Sequence, residues 1–186
     1  IFYSHLVIYL NKNIISQTSE VIEEYPFPIV RLADLYLMYA EALNEATDNG
    51  EFVPTEVYTN IDIVRERSGL EGVIDSWKKY STNPNKPSTK EGMREIIRKE
   101  RQIELALEGV RYHDLRRWGD AMEAYNRPIS GCNVKARSNE RQKFYTTTIL
   151  NDILTRRSFS YKHYFYPIPK SVLDKNKNLV QNPEWR

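Results

Sequence analysis

The sequence predicts a mainly α-helical fold of helical hairpins with long irregular loops and minor β structure. Three observations carry that prediction. Apolar residues recur at helical spacing in four stretches between Arg31 and Tyr125. Glycine, proline and polar stops separate the paired stretches closely, so neighbouring helices must fold back on one another. From Asn126 onward the periodicity fades into an irregular tail rich in tyrosine.

Taken in order, Phe2–Leu10 is apolar and aromatic without Gly or Pro, which suits a strand. Asn11–Pro28 is polar and turn-rich, and Pro26 and Pro28 hold the chain extended. The first helix, Arg31–Ala46, repeats Leu32, Leu35, Tyr36, Tyr39, Leu43 and Ala46. Leu37, Met38, Ala40 and Ala42 form a second apolar face, so the helix is expected to be covered on two sides. Thr47-Asp-Asn-Gly50 stops it. Pro54 and Glu56 open a second helix to about Ser68, with Val57, Ile61 and Val64 inside, Tyr58 beside them and Gly69 ending it.

Gly72–Pro87, with Trp77, Pro84 and Pro87, reads as a loop. Ser88-Thr-Lys-Glu91 has the spacing of a capping box. It opens a third helix over about Thr89–Glu108, with Met93, Ile96, Ile97, Ile103, Leu105 and Leu107 apolar. Beyond Gly109 a fourth helix, about Arg111–Tyr125, places Leu115, Trp118, Met122 and Tyr125 on one stripe. Tyr161–Tyr166 suits a strand that Pro167 and Pro169 stop, and the polar ending from Asn176 wraps the surface. The expected organisation is one domain over 1–186: a helical pair at 31–68, a second at 88–125 and an irregular aromatic tail at 126–186. Two hairpins in series suggest stacked repeats of the tetratricopeptide kind.

Composition narrows the function classes. The 186 residues carry 27 Lys+Arg against 25 Asp+Glu, a formal charge of +2, too balanced for a dedicated nucleic-acid binder. One cysteine, Cys132, excludes both a disulfide framework and a cysteine zinc site. No E-x-x-H, H-E-x-x-H or G-x-S-x-G pattern occurs, so neither a bound metal, a cofactor nor nucleophilic catalysis is expected. The longest apolar run, Leu35–Ala40, is far shorter than a membrane span. The chain starts at Ile1 without a basic or apolar leader, so it reads as mature or trimmed material.

Two groups of residues remain as candidates. Glu100, Glu104 and Glu108 share a helix face at i, i+4, about 5–6 Å apart at Cβ. That lies near the carboxyl separation of retaining glycosidases, but an acid–base pair needs residues on separate elements flanking a cleft. Pairing of these carboxylates with Arg98, Arg101 and Arg111 is the better reading. The second group is aromatic. Thirteen tyrosines lift the aromatic fraction to 12%, and exposed rings can stack on the C–H faces of sugars. Tyr3, Tyr25, Tyr145 and Tyr161, with Tyr9, are the ligand-binding candidates.

Three stretches together resemble one family. They are Pro28-Ile-Val-Arg-Leu-Ala-Asp-Leu-Tyr-Leu-Met-Tyr-Ala-Glu-Ala-Leu43 with Ile63–Leu70; Ile97–Gly119, which contains the pattern R-x-x-E-L-x-x-E-G-x-R-x-x-D-L-x-R-x-G from Arg101; and Tyr166-Pro-Ile-Pro-Lys-Ser171 leading to Asn178-Leu-Val-Gln-Asn-Pro183 and Trp185. In this order they resemble the C-terminal portion of the SusD/RagB family, the glycan-capturing outer-membrane lipoproteins of Bacteroidetes. Two loop positions depart from the family's habit: Lys177 within Asn176-Lys-Asn178, and Glu184 where a glycine is usual. The segments Ile1–Pro26 and Asn126–Tyr161 carry no recognisable motif.

The resemblance implies a tetratricopeptide-like scaffold with a non-catalytic role. Such a protein holds an oligosaccharide or other nutrient as a lid on a TonB-dependent, SusC-like transporter. It is a surface-exposed outer-membrane lipoprotein, membrane-bound only through an N-terminal lipid anchor that this chain does not include. Within the motif, Glu100, Arg101, Glu104, Glu108, Arg111, Asp114 and Arg117 are expected to form a structural network between the third and fourth helices, with Gly109 making the turn. Arg111→Ala is then expected to destabilise the fold without specifically removing ligand affinity. The alternative is a tetratricopeptide-like protein-interaction module without a small-molecule ligand.

Overall fold

The computed structural model describes residues 29–48, 50–137, 139–149 and 158–185. The strand expected at Phe2–Leu10 and the extended Asn11–Pro28 lie outside those residues. The described residues are mainly helical with one two-stranded sheet. They divide into two compact units between Glu108 and Gly109.

The first unit contains α1 (Leu32–Ala46), α2 (Thr55–Arg67), α3 (Val73–Tyr80), a 3-10 turn (Lys86–Ser88) and α4 (Lys90–Glu104). Both α2 and α4 pack along α1. Ala33, Leu37, Ala40 and Asn44 of α1 are buried at i, i+4, i+7 and i+11, so the small alanines let both neighbours approach closely. They meet Val57, Ile61 and Val64 of α2, Val73 of α3, and Met93, Ile96 and Ile97 of α4 in one core. Each fully buried Leu, Ile, Val or Met there contributes about 1.5–3 kcal/mol. Tyr58 packs beside this core, and its hydroxyl donates to the Pro87 carbonyl at 3.0 Å.

Several expectations for this unit need correction. The stripe Leu32, Leu35 and Tyr39 is exposed, because α1 buries its narrower Ala33–Leu37–Ala40 face. The expected loop Gly72–Pro87 contains helix α3, started where the Val73 amide donates to Asp62 Oδ1 at 2.7 Å. Ser88 caps nothing; it ends the 3-10 turn, and Thr89 is the N-cap, accepting from the Gly92 amide at 3.1 Å. Gly92 is obligatory there, since a Cβ would sit 2.0 Å from the Lys86 carbonyl oxygen. The third helix also stops at Glu104, four residues early; Leu105 beyond it is buried and Leu107 exposed, and within the helix Ile103, expected on the apolar face, is exposed too.

Helix ends are tied by side chains and by left-handed turns. Lys90 Nζ donates to the Glu45 and Thr47 carbonyls at 2.9 and 2.5 Å, serving the open C-terminus of α1. Gly69 closes α2 at φ 74°, with the Leu70 amide reaching the Arg65 carbonyl and the Gly69 amide the Glu66 carbonyl.

The second unit runs through α5 (Val110–Arg117), α6 (Ala121–Asn126), β1 (Ser130–Cys132), α7 (Arg141–Phe144), β2 (Thr147–Ile149), a 3-10 turn (Tyr161–Tyr164) and α8 (Lys170–Lys175). The strands pair antiparallel with Gly131 opposite Thr148. The fourth helix, expected to be continuous, is two helices. Gly119 adopts φ 80°, and the Asp120 amide closes onto the Leu115 carbonyl at 2.9 Å, which ends α5. Tyr161–Tyr164 is a 3-10 turn rather than a strand, because Ser160 and His163 cap it reciprocally.

Among the described residues of this unit aliphatic burial is slight, with Leu115 and Ala121 the buried apolar residues. Rings and side-chain amides hold it instead. Phe159 stacks on Tyr125 with centroids 5.4 Å apart, while Asn126 exchanges two hydrogen bonds with the Phe159 backbone. In the tail, Gln181 donates to and accepts from the backbone of Ile168 at 2.9 and 2.8 Å. Pro167 and Pro169 have no N–H, so Gln181 takes the one amide hydrogen of that tripeptide. Asn182 adds a bond to the Tyr166 carbonyl, and the Trp185 indole donates to the Lys162 and Phe165 carbonyls.

Candidate functional site

Of the two candidate groups from the sequence, the carboxylates belong to the first unit, and Tyr145 and Tyr161 of the aromatic group belong to the second. In the first, α4 carries Glu100, Arg101 and Glu104, and Glu108 follows it. Their partners come from the first hairpin. Arg65 engages Glu100; Arg31 Nη1 and Arg67 Nη2 reach Glu104 Oε1 at 3.0 and 2.5 Å; and Arg31 Nη2 donates to Glu108 at 2.6 Å. Arg101, buried, turns to Asp34 Oδ1 at 2.8 Å. Hydrogen bonds from Arg31 to Glu108 and Glu104 hold its guanidinium still more firmly charged than usual. Burial pushes the Glu100 carboxyl above its ordinary value, with Arg65 opposing the shift. Each carboxylate is engaged by a cation, so the cluster is built to hold helices together rather than to exchange protons.

The second unit contains an open groove of about 630 Å³, lined by Arg116, Arg117, Trp118, Gly119, Met122, Tyr161, Tyr164 and Phe165. That volume lies within the roughly 300–1,000 Å³ of small-molecule sites. The left-handed turn at Gly119 brings α6 back so that Met122 faces the rings of the tail. Tyr164 fastens the two sides: its hydroxyl donates to the Gly119 carbonyl at 2.6 Å and accepts from the Met122 amide at 3.1 Å. Arg116 also donates to the Tyr164 carbonyl.

Cations and rings alternate around this groove. The Arg116 guanidinium lies 5.1 Å from the Tyr112 ring centre and 4.7 Å from that of Tyr166. Hydrogen bonds from Tyr112 and Arg116 hold the Tyr166 phenol below its usual value, and the bond to Tyr166 raises Tyr112. Arg117 lies 4.8 Å over the Trp118 ring, and Arg111 lies 5.7 Å from the same ring. Arg117 Nε also donates to the buried Asp114 at 2.9 Å. A second groove, about 550 Å³ in the first unit, is lined by Arg65, Leu70, Trp77 and Tyr80 among others. There Arg65 is engaged by Glu100, Ser76 and the Glu71 carbonyl.

The sequence-derived candidates are placed as follows. Tyr161 is half exposed on the groove wall, edge-on to Phe165 at 5.7 Å. Tyr145, also exposed, ends α7 against Phe144 and lies outside the groove lining. Tyr3, Tyr9 and Tyr25 lie outside the described residues. Of the motif residues, Glu100, Arg101, Glu104 and Glu108 belong to the first unit, and Gly109, Arg111, Asp114 and Arg117 to the second. Gly109 takes φ 78° before α5. Met122, Tyr164 and Phe165 were not singled out as site residues, because only the chain's return through the tail brings them to Trp118. Among the described residues no group of His, Cys, Asp and Glu could hold a metal ion, and no helix is long and apolar enough to cross a membrane.

Compared with protein families, residues 2–185 match the model of the SusD family. The match includes the segments before Pro28 and after Asn126 that carry no recognisable motif. No curated protein matches the chain.

Proposed function

The chain belongs to the SusD family, and on that premise we propose that it captures a glycan or other nutrient at the outer-membrane surface and passes it, unaltered, to a TonB-dependent SusC-like transporter. The family's association with nutrient binding and outer-membrane uptake supplies the setting. The observation that carries the reading in this chain is the groove of the second unit. Trp118, Tyr161 and Phe165 line it beside polar donors, the combination that suits a sugar, with apolar C–H faces and a fringe of hydroxyls. The carboxylates that could have served an acid–base pair are instead bound to arginines. This supports capture without cleavage.

Binding of the chain to a glycan array, followed by analysis of the bound glycans, tests the proposal. Retention of a related set of oligosaccharides with no shortened products is expected. Failure to retain any glycan, or appearance of new reducing ends, overturns it. Co-purification with a β-barrel transporter from outer membranes tests the delivery step separately.

A further inference from the structure

We propose that the groove of the second unit selects an acidic sugar of the uronate type, with its carboxylate on Arg117 and its ring face on Trp118 and Tyr161. This rests on the capture reading above and names its substrate class. The first observation is charge. Among the described residues, two guanidinium groups line the groove and no carboxylate does. Asp114 is buried and accepts from Arg117, and Glu184 accepts from the Lys162 amide at 3.1 Å.

The second observation is placement. Arg117 is 44% exposed and lies over Trp118, and Arg111 lies near the same ring, so the indole sits in a cationic setting. Arg116 lies against the Tyr112 and Tyr166 rings and adds a second positive charge to the lining. A neutral sugar stacked on Trp118 and Tyr161 would strip water from these guanidinium groups and return only hydroxyl acceptors. A carboxylate is planar and matches a guanidinium in shape and charge. Hydrogen bonds to charged groups exceed neutral ones by enough to give a preference on the order of 10- to 100-fold.

Calorimetric titration with a galacturonic-acid trimer and the matching neutral galactose trimer tests the inference. The acidic trimer is expected to bind the wild-type chain at least about tenfold more tightly, an advantage that shrinks in high salt. Tyr161→Ala should weaken both trimers. Arg117→Gln should remove the preference for the acidic one, and Arg117→Lys should restore part of it. Because Arg117→Gln leaves Asp114 without that donor, thermal melts of each variant accompany the titrations. Tyr161→Ala, at an exposed ring, keeps the test decisive if Arg117→Gln fails to fold.

Equal affinity for the two trimers overturns the acid preference while leaving capture intact. Acidic-trimer binding that ignores both Arg117→Gln and Tyr161→Ala overturns the placement in this groove. Array binding of neutral glycans with none of the acidic trimer also overturns the substrate class. An array with no glycan retained defeats the capture reading itself.

Discussion

Replacing Glu104 with glutamine separates scaffold from site. The substitution keeps the side-chain volume while removing the charge and turning one acceptor oxygen into an NH2 donor, so no cavity complicates the result. Glu104 is buried and accepts from Arg31 and Arg67. The Arg67 side chain is 42% exposed, so water takes over most of that partnership and its loss costs no more than about 1 kcal/mol. Arg31 is only 13% exposed, but it keeps Glu108 at 2.6 Å. It therefore loses one charged partner and keeps another, at about 1.5–3 kcal/mol. The total, roughly 2–4 kcal/mol, falls at or below the 3–5 kcal/mol for a buried pair stripped of its only partner. For a chain of this length that lowers the melting midpoint by roughly 5–15 °C. Far-ultraviolet circular dichroism melts measure it directly, and glycan affinity below the transition should be unchanged. A variant with the wild-type midpoint and lost affinity would refute the reasoning, because the carboxylate would then serve a ligand.

Three further outcomes follow from the geometry. Leu107 is exposed and held at φ 71°, a conformation that strains side chains with a Cβ, so Leu107→Gly should raise stability by ~0.5–1 kcal/mol in urea unfolding. Gln181→Ala removes both bonds to Ile168 and should cost about 2 kcal/mol locally, seen as faster amide exchange at Ile168 with little change in α1, α2 and α4. Glu100 is raised above 4.5 by burial, so the folded state binds its proton more readily than the unfolded state does. As pH rises from 4.5 through the raised value, the wild type should lose stability relative to Glu100→Gln. A relative gain over that window would mean that Arg65 outweighs burial.

How much was legible in the sequence varied with the range of the forces involved. Val57, Ile61 and Val64, and Met93, Ile96 and Ile97, fell on their helical faces as read, because period and burial agree there. Helix α1 is apolar on several sides, so its pattern did not say which face would be buried. Small residues chose it, through close packing that no periodicity encodes. Helix α3 was hidden because Trp77 stands among Lys, Ser and Pro, and its start depends on Asp62 reaching across from α2. The break at Gly119 was visible as a residue but not as a stop, since isolated glycines are tolerated in helices.

Partnerships over long separations were the least legible. Glu104 and Glu108 were recognisable as a charged face, but Arg31 and Arg67 are supplied from α1's cap and α2. The groove followed the same rule: Trp118, Arg116 and Arg117 stood in the motif, Tyr161 in the aromatic excess, and only the tail's fold joined them. Glu184 shows the converse. It stands where the family favours glycine, and the structure gives it φ 61°, a left-handed turn that glycine adopts at no steric cost.

The three tryptophans offer the most direct test of where a glycan is held, because each indole N–H reports on a different place. Trp77 lines the groove of the first unit, Trp118 that of the second, and Trp185 is tied to the tail backbone. Titrating an array-selected oligosaccharide into ¹⁵N-labelled protein and following the three indole signals reads all three at once. The account predicts that the Trp118 signal moves with saturable dependence on glycan while Trp77 stays in place. Movement of Trp77 with a silent Trp118 would contradict it.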